Sequence, residues 1–290
     1  MPNIFASVVF FSTLAATVSA LPNPAFKDSE TSSSPNSHYL SLADSVDYYI
    51  SREKWEKAEG TMERMLRAEP ANAMNVMVLS NLASVKIELN KYEEANQLAD
   101  VVLSRAPESV KALNLKSSAL IGCGLAEESK EYLRKSLRVD SLQTFPNEIL
   151  GALSLTQSSA SEAEKCYRNL LAKDSLNANY ICNLGKSLLL QNKLEEAEQA
   201  FRKSLNIKED CSTYISLLSL LMTDKKHQEA EEIVRKALDT YPESGDLYVY
   251  RTALYRLQFQ PQAAEASLNL AKKYHADPQL IKLVEEKKRK

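Results

Sequence analysis

Apolar and polar residues alternate along this chain in a pattern that is clearest in "NLGKSLLLQNKLEEAEQAFRKSL", residues 183–205. Two stretches of the segment place apolar residues three or four positions apart, which is the spacing of the buried side of an amphipathic helix. A short polar stretch separates them. The pattern predicts two helices joined by a turn, and none of its residues is an obvious nucleophile, metal ligand or phosphate-binding group.

Similar segments occur before and after this one. Each predicted second helix carries a small residue early in its sequence, and the steps between these residues are 37, 34, 34, 34, 33 and 34 positions. The seven residues are Ala58, Ala95, Ser129, Ala163, Ala197, Ala230 and Ala264. Small residues let two helices approach closely, while the periodic Leu, Ile, Val and Tyr form their buried side. Because one helix pair cannot bury both of its sides, we expect the pairs to stack on one another.

Over residues 39 to about 278 the chain resembles the tetratricopeptide repeat family, whose signature is a helix–turn–helix unit of about 34 residues. Leu184-Gly185 and Leu150-Gly151 match the Leu-Gly dipeptide of the family's first helix. Tyr167 and Phe201 fill the aromatic position of its second helix. The third and seventh repeats depart from the dipeptide. The third repeat has Lys116-Ser117 in its place, and the seventh has Arg251-Thr252. Pro70, Pro107 and Pro242 close three of the repeats.

The resemblance implies an all-α fold, a right-handed α-solenoid of helix–turn–helix repeats. The seven expected repeats are 39–75, 76–109, 110–143, 144–177, 178–210, 211–244 and 245–278. Residues 279–290 read as a polar-faced C-terminal capping helix that covers the last exposed edge.

The first 38 residues differ from the rest of the chain. Ile4–Val18 is uncharged and mostly apolar, and Val18-Ser19-Ala20 places small residues where a signal peptidase would cut. We therefore expect residues 1–20 to be a signal peptide cleaved after Ala20, and the protein to be exported to a periplasm or secreted. An uncleaved anchor is the alternative, although 15 residues are short for a bilayer span of about 20. Residues 21–38, rich in Ser, Pro and Asn, read as a flexible linker.

Composition and charge exclude several classes of function. The formal net charge is −2, so no excess of Lys and Arg favours nucleic acid. No segment of the mature chain reaches the length of a membrane span. The six glycines form no phosphate-binding loop or dinucleotide motif. We expect no cofactor, no metal site and no catalytic residues, and hence a protein that is not an enzyme.

The cysteines and histidines support that expectation. The cysteines form no Cys-x-x-Cys pair, and their places in the repeats favour core-filling thiols over disulfides. None of the three histidines has a Cys or a second His at the spacing of metal ligands. These residues are Cys123, Cys166, Cys182, Cys211, His38, His227 and His275.

In the tetratricopeptide family, the first helix of each repeat lines a concave groove through its fifth, ninth and twelfth positions. Transferred to this sequence, those positions combine small polar residues with an apolar row. The predicted peptide-binding residues are Ile87, Asn114, Ser118, Ile121, Glu148, Leu155, Lys186, Leu189, Met222 and Arg256. The twelfth position is often partly buried between helices, so the apolar row has a core role as its alternative.

One group within the family holds acidic chaperone tails with a carboxylate clamp of Lys, Asn and Arg. Here Asn81 and Asn183 match the central Asn. The positions that should supply the following basic pair hold Lys111 and Leu115 after Asn81, and Ser212 and Ser216 after Asn183, so the basic partners are missing. We therefore expect no chaperone-tail clamp. The leading hypothesis is an exported non-catalytic scaffold or adaptor that binds a protein or peptide segment. The alternative is a non-catalytic subunit of an envelope-associated enzyme or of a carbohydrate-handling complex, although the groove positions contain no aromatic residue.

Overall fold

The computed structural model describes residues 37–156 and 159–286. Within these ranges the chain forms fifteen α-helices and no strand, which confirms the all-α prediction. The helices are α1 (Ser37–Ile50), α2 (Trp55–Ala68), α3 (Asn75–Glu88), α4 (Tyr92–Arg105), α5 (Val110–Gly122), α6 (Ala126–Val139), α7 (Thr144–Thr156), α8 (Ala160–Lys173), α9 (Ala178–Leu190), α10 (Leu194–Ile207), α11 (Cys211–Thr223), α12 (His227–Thr240), α13 (Gly245–Leu257), α14 (Pro261–Lys273) and α15 (Pro278–Glu286).

The segments predicted at the two ends of the chain lie only partly within the described residues. The predicted signal peptide, 1–20, and residues 21–36 of the predicted linker lie outside the described residues. Ser37 and His38, which the sequence assigns to the linker, are the first residues of α1. α15 lies in the predicted capping segment, whose last four residues are also outside the described part. No helix within 37–156 and 159–286 is long and apolar enough to cross a membrane.

The chain divides into two units, the first ending at Tyr132 and the second beginning at Leu133, both within α6. In the first unit, α1 to α5 pack against one another in chain order. Tyr39, Met62 and Leu82 lie in its buried apolar cluster. Ala58 and Ala95 are 0% exposed, as expected for small residues at a close helix contact.

The second unit contains the end of α6 and the helices α7 to α15. Its largest buried cluster joins residues of α9 to α15 and is built around Phe201, Tyr214 and Leu217. Each helix from α7 to α14 packs against the next one in the chain. Packing in chain order means that each helix pair is stabilised mainly by its neighbours, as in other repeat proteins.

The Leu-Gly dipeptide has a direct packing explanation. A Cβ atom added at Gly185 would lie 2.7 Å from Cε1 of Phe201, and one added at Gly151 would lie 3.2 Å from the Tyr167 ring. The first helix therefore lacks a side chain where the aromatic ring of the second helix lies. The glycine and the aromatic residue of the motif form one contact.

In six of the pairs, three in each unit, the turn between the two helices shares one backbone feature. One residue in it takes a left-handed conformation, with φ values between 53° and 80°. These residues are Glu53, Asn90, Gly124, Asn192, Lys225 and Phe259. Gly and Asn adopt this conformation readily, whereas Phe does so rarely. Because the form persists across such different side chains, helix packing rather than local preference sets it.

The four cysteines are free thiols. Cys166 and Cys182 are buried, and burial raises the pKa of both; that of Cys166 rises to about 12. A thiol with so high a pKa is protonated at neutral pH and reacts poorly as a nucleophile.

Candidate functional site

The ten predicted groove residues all lie on first helices of the pairs, and each is partly exposed. In the first unit, α3 and α5 carry Ile87, Asn114, Ser118 and Ile121. In the second unit, α7, α9, α11 and α13 carry Glu148, Leu155, Lys186, Leu189, Met222 and Arg256. We call the partly exposed residues Glu148, Leu155, Lys186, Leu189 and Met222 the first-helix face of the second unit.

The apolar members of this face also serve the core. Leu155 packs against the buried cluster of Ala163, Tyr167 and Leu170. Leu189 and Met222 pack against the larger cluster of the second unit. Since each side chain is partly buried and partly exposed, the core role and the surface role of the twelfth position coexist.

Glu148 has a partner that the sequence positions did not include. The hydroxyl of Tyr180, on α9, donates a hydrogen bond to Oε1 of Glu148 on α7. Burial raises the pKa of Tyr180, and the neighbouring carboxylate of Glu148 raises it further. The tyrosine therefore stays neutral and keeps its proton for the carboxylate. The contact ties α7 to α9 and places an aromatic side chain beside the first-helix face.

Lys186 supplies the positive charge of the face. It lies on α9, one turn before Leu189, and no ion pair to it occurs within the described residues. Leu190, next to Leu189, is 52% exposed. The first-helix face therefore includes a carboxylate that is already hydrogen-bonded, an ammonium group without an ion pair among the described residues, and apolar side chains.

Arg256 makes a contact that its predicted groove position did not include. Its guanidinium donates a hydrogen bond to the backbone carbonyl oxygen of Val284 on α15. Val284 is itself buried in the cluster of the second unit. The arginine thus helps to hold the last helix in place, and its side chain is partly occupied by the chain's own C-terminal segment.

In the first unit, Asn81, which matches the central Asn of the chaperone-tail clamp, already has a hydrogen-bond partner within the chain. Nζ of Lys111 donates a hydrogen bond to Oδ1 of Asn81 at 2.6 Å. The amide oxygen of Asn81 is therefore used in linking α5 to α3.

Sequence reasoning missed Tyr180 and Leu190 because it considered three fixed positions of each first helix. A helical repeat of 3.6 residues gives the signal that was available: Tyr180 precedes Asn183 and Leu184 by three and four positions, so it shares a side of α9 with them. Leu190 continues the apolar run of Leu188 and Leu189 to the end of that helix.

Comparison with known proteins gives the same repeat. The family described as "Tetratricopeptide repeat" matches residues 153–210 and, through a second family profile of that description, residues 110–141. No curated protein matches the chain.

Solved structures share the fold at low sequence identity. A tetratricopeptide repeat protein from Parabacteroides merdae is 18% identical, with a TM-score of 0.57 over 86% of this chain and 98% of that one. The C-terminal part of a repeat-containing protein from Cytophaga hutchinsonii is 14% identical, with a TM-score of 0.64 over 82% and 98%. YrrB, described as a tetratricopeptide protein with an unusual peptide-binding site, is 15% identical, with a TM-score of 0.51 over 65% and 97%. The shared architecture is an all-α solenoid.

Proposed function

Because the chain is a tetratricopeptide-repeat protein, we propose that it is a non-catalytic scaffold that binds a protein segment on the first-helix face of its second unit. Such repeats generally bind protein or peptide partners. The observation that carries the proposal is the combination, on successive first helices, of partly exposed apolar side chains with the unpaired ammonium group of Lys186.

The chemistry of the face defines the segment that it would accept. Leu155, Leu189 and Met222 offer apolar contacts, and apolar anchors commonly supply most of the binding energy of an interface. Lys186 would pair with a carboxylate of the ligand, while Glu148 is held by Tyr180. The expected ligand is therefore a segment with spaced apolar side chains and an acidic residue between them.

The likeness to YrrB supports the choice of ligand class, since that protein is described as having a peptide-binding site. The identity of 15% carries the fold and leaves the location of the site to be argued from this chain's own residues.

We also propose that the protein is exported. The support is the apolar stretch Ile4–Val18 followed by the small residues of Val18-Ser19-Ala20. N-terminal sequencing of the native protein should begin at Leu21. An intact Met1 on a cytosolic protein would overturn export, and it would leave the binding proposal standing.

Capture of partners by residues 21–290, followed by mass spectrometry, identifies a ligand, and two charge-reversed variants then locate its site. Lys186→Glu should weaken binding of the captured partner at least about tenfold, because an ion pair would become a repulsion. Lys203→Glu, which makes the same change in charge on the exposed surface of α10, should bind as the unaltered chain does. Equal affinity of all three proteins would rule out the first-helix face.

A further inference from the structure

A cavity of about 250 Å³ lies between the second helices α6 and α8. Its walls include the positive side chains of Arg134, Arg138 and Lys165. Leu150 and Cys166 form buried parts of the wall. None of the residues around the cavity belongs to the first-helix face. Three positive side chains therefore border the cavity, together with the carboxylate of Glu162.

Only one of these three charges is neutralised. Arg134 makes two hydrogen bonds to the carboxylate of Glu162, at 2.7 and 2.8 Å. Oε2 of Glu162 also accepts a hydrogen bond from the Ser154 hydroxyl at 2.9 Å. Both oxygens of that carboxylate therefore accept hydrogen bonds from protein side chains. Within residues 37–156 and 159–286, no ion pair is made by Arg138 or Lys165.

The other polar groups of the cavity wall satisfy one another. Asn147 is fully buried, and its amide nitrogen donates to the carbonyl oxygens of Ser141 and Gln143. The amide nitrogen of Asn169 donates to Oδ1 of Asn147 and to the Ser141 carbonyl. Recognition of a ligand would thus depend on Arg138 and Lys165, which have donors to spare.

The neighbouring repeats provide an internal comparison. The pair Arg134–Glu162 returns as Arg168–Glu196 at 3.7 Å, between α8 and α10, and as Arg202–Glu229 at 2.5 Å, between α10 and α12. This pair is therefore a repeated link between second helices. The two additional cations do not return. Counted by the repeat, Ala172 and Asn206 replace Arg138, and Gln199 and Glu232 replace Lys165. Stacking of the helices does not need them.

We propose that the cavity between α6 and α8 binds the phosphate group of a small phosphate monoester. A phosphate monoester carries a charge of about −1.5 to −2 at pH 7, which matches the two unpaired cations. The guanidinium of Arg138 suits a tetrahedral oxyanion because it offers two parallel donors. A water molecule takes about 30 Å³ in the liquid, so the cavity has room for more than a bare ion. The organic group would lie against Leu137, Leu150 and Cys166.

Calorimetric titration tests the proposal with defined probes. The purified protein should bind O-phosphoserine, bind serine not at all, and bind inorganic phosphate more weakly than O-phosphoserine. In the double variant Arg138→Gln/Lys165→Gln, the affinity for O-phosphoserine should fall at least about tenfold, since two charge-assisted hydrogen bonds are lost. Both side chains are exposed, so the variant should melt at the temperature of the unaltered protein.

A matched control removes the same charges elsewhere. Lys203→Gln/Arg235→Gln takes away one Lys and one Arg from exposed positions on α10 and α12, away from the cavity. This variant should bind O-phosphoserine normally. An equal loss in both double variants would show attraction to overall charge and would overturn the proposal, as would binding of serine with the same affinity. Inorganic phosphate binding as tightly as O-phosphoserine would overturn the assignment to a monoester.

Two further probes separate the sources of the phosphate. A short peptide with phosphoserine at its centre tests a phosphorylated protein side chain, and glycerol 3-phosphate tests a small metabolite. Tighter binding of one over the other, lost in Arg138→Gln/Lys165→Gln, identifies the source. The proposal would be overturned if the unaltered protein bound neither probe.

Discussion

Two turns of the first unit occupy equivalent places in the repeat and are built differently. Before α4, Nζ of Lys91 lies 2.7 Å from the carboxylate of Glu59, which follows the small residue Ala58 on α2. Before α6, the residue in the place of Lys91 is Leu125, and the residue in the place of Glu59 is Asn96. Oδ1 of Asn96 is buried and has no hydrogen-bond partner among the described residues.

The second unit shows which of the two arrangements is the general one. Lys193 lies 2.9 Å from Glu164, and Lys226 lies 2.8 Å from Glu198, at the same places of two later repeats. A lysine before the second helix thus repeatedly binds a carboxylate on the second helix of the preceding repeat. We call this pair the turn lock. Contacts between successive repeats can therefore differ in stability although the helical pattern is uniform, because burying a polar atom without a partner costs free energy.

The largest effect should come from removing Lys86, a buried lysine of α3 that shares the Glu59 carboxylate with the turn lock of Lys91. The side chain of Lys86 is 7% exposed, and its Nζ lies 2.5 Å from the Glu59 carboxylate and 2.6 Å from that of Glu94. Lys86→Met should lower the free energy of unfolding by about 3 kcal/mol, because it leaves the carboxylate of Glu59 partly uncompensated. Urea denaturation measures the loss.

An exposed lysine provides the control for that variant. Lys57→Met, on α2, should change the free energy of unfolding by less than about 0.5 kcal/mol. Hydrogen exchange should show the loss in Lys86→Met around α2 to α4, since repeats are stabilised mainly by neighbours. Equal stability of the two variants would show that the buried pair contributes nothing.

The pH dependence of a turn lock should be the next largest effect. Burial raises the pKa of Glu164, but hydrogen bonds from Lys193, Gln191 and Arg168 outweigh burial and lower it to about 2. A carboxyl group whose folded pKa lies below its unfolded value stabilises the fold above the unfolded pKa. That contribution is lost as the pH falls from about 4.5 towards 2.

Glu164→Gln isolates this contribution. At pH 7 the variant should be less stable by about 1 kcal/mol, a value kept small by the solvent exposure of Lys193 and Arg168. The difference between the two proteins should shrink as the pH is lowered from 5 to about 3 in urea titrations. A difference that stays constant over that range would contradict the lowered pKa.

The smallest effect should come from building a turn lock before α6, where the chain lacks one. Asn96→Glu with Leu125→Lys places both partners where the other repeats have them. We expect a gain of about 0.5–1 kcal/mol, since an amide oxygen without a partner is replaced by an ion pair. Each single variant should gain less than the pair, and additive effects of the two single variants would mean that the new side chains do not interact.

The period of the sequence was enough to predict the fold class and the places of the close helix contacts. Ala163, Ala197 and Ala230 are all 0% exposed, as predicted from their spacing alone. The turn locks were not predicted, because Glu164 and Lys193 are 29 positions apart and each looks like an ordinary surface charge. A pair of this kind becomes visible only when positions are compared between successive repeats.

The candidate site was harder to predict from sequence than the fold. The partly exposed state of Leu155 and Leu189 follows from the family's positions, but the hydrogen bond between Tyr180 and Glu148 does not. The hydrogen bond from Arg256 to Val284 depends on where α15 lies, and the pattern of the repeats says nothing about a segment outside them. The cluster of Arg134, Arg138 and Lys165 depends on side chains from two helices, so it too required the structure.

The position of α15 has a consequence for assembly. Helix pairs that stack on their neighbours present, at a free end, a surface shaped to receive another pair, and identical copies joined in this way would form open filaments. Val284, Leu280 and Ile281 pack against the last apolar cluster, and Arg256 fixes the end of α15 there. We expect that a second copy could add to this end only by displacing α15. In this view the helix would prevent head-to-tail growth of the protein.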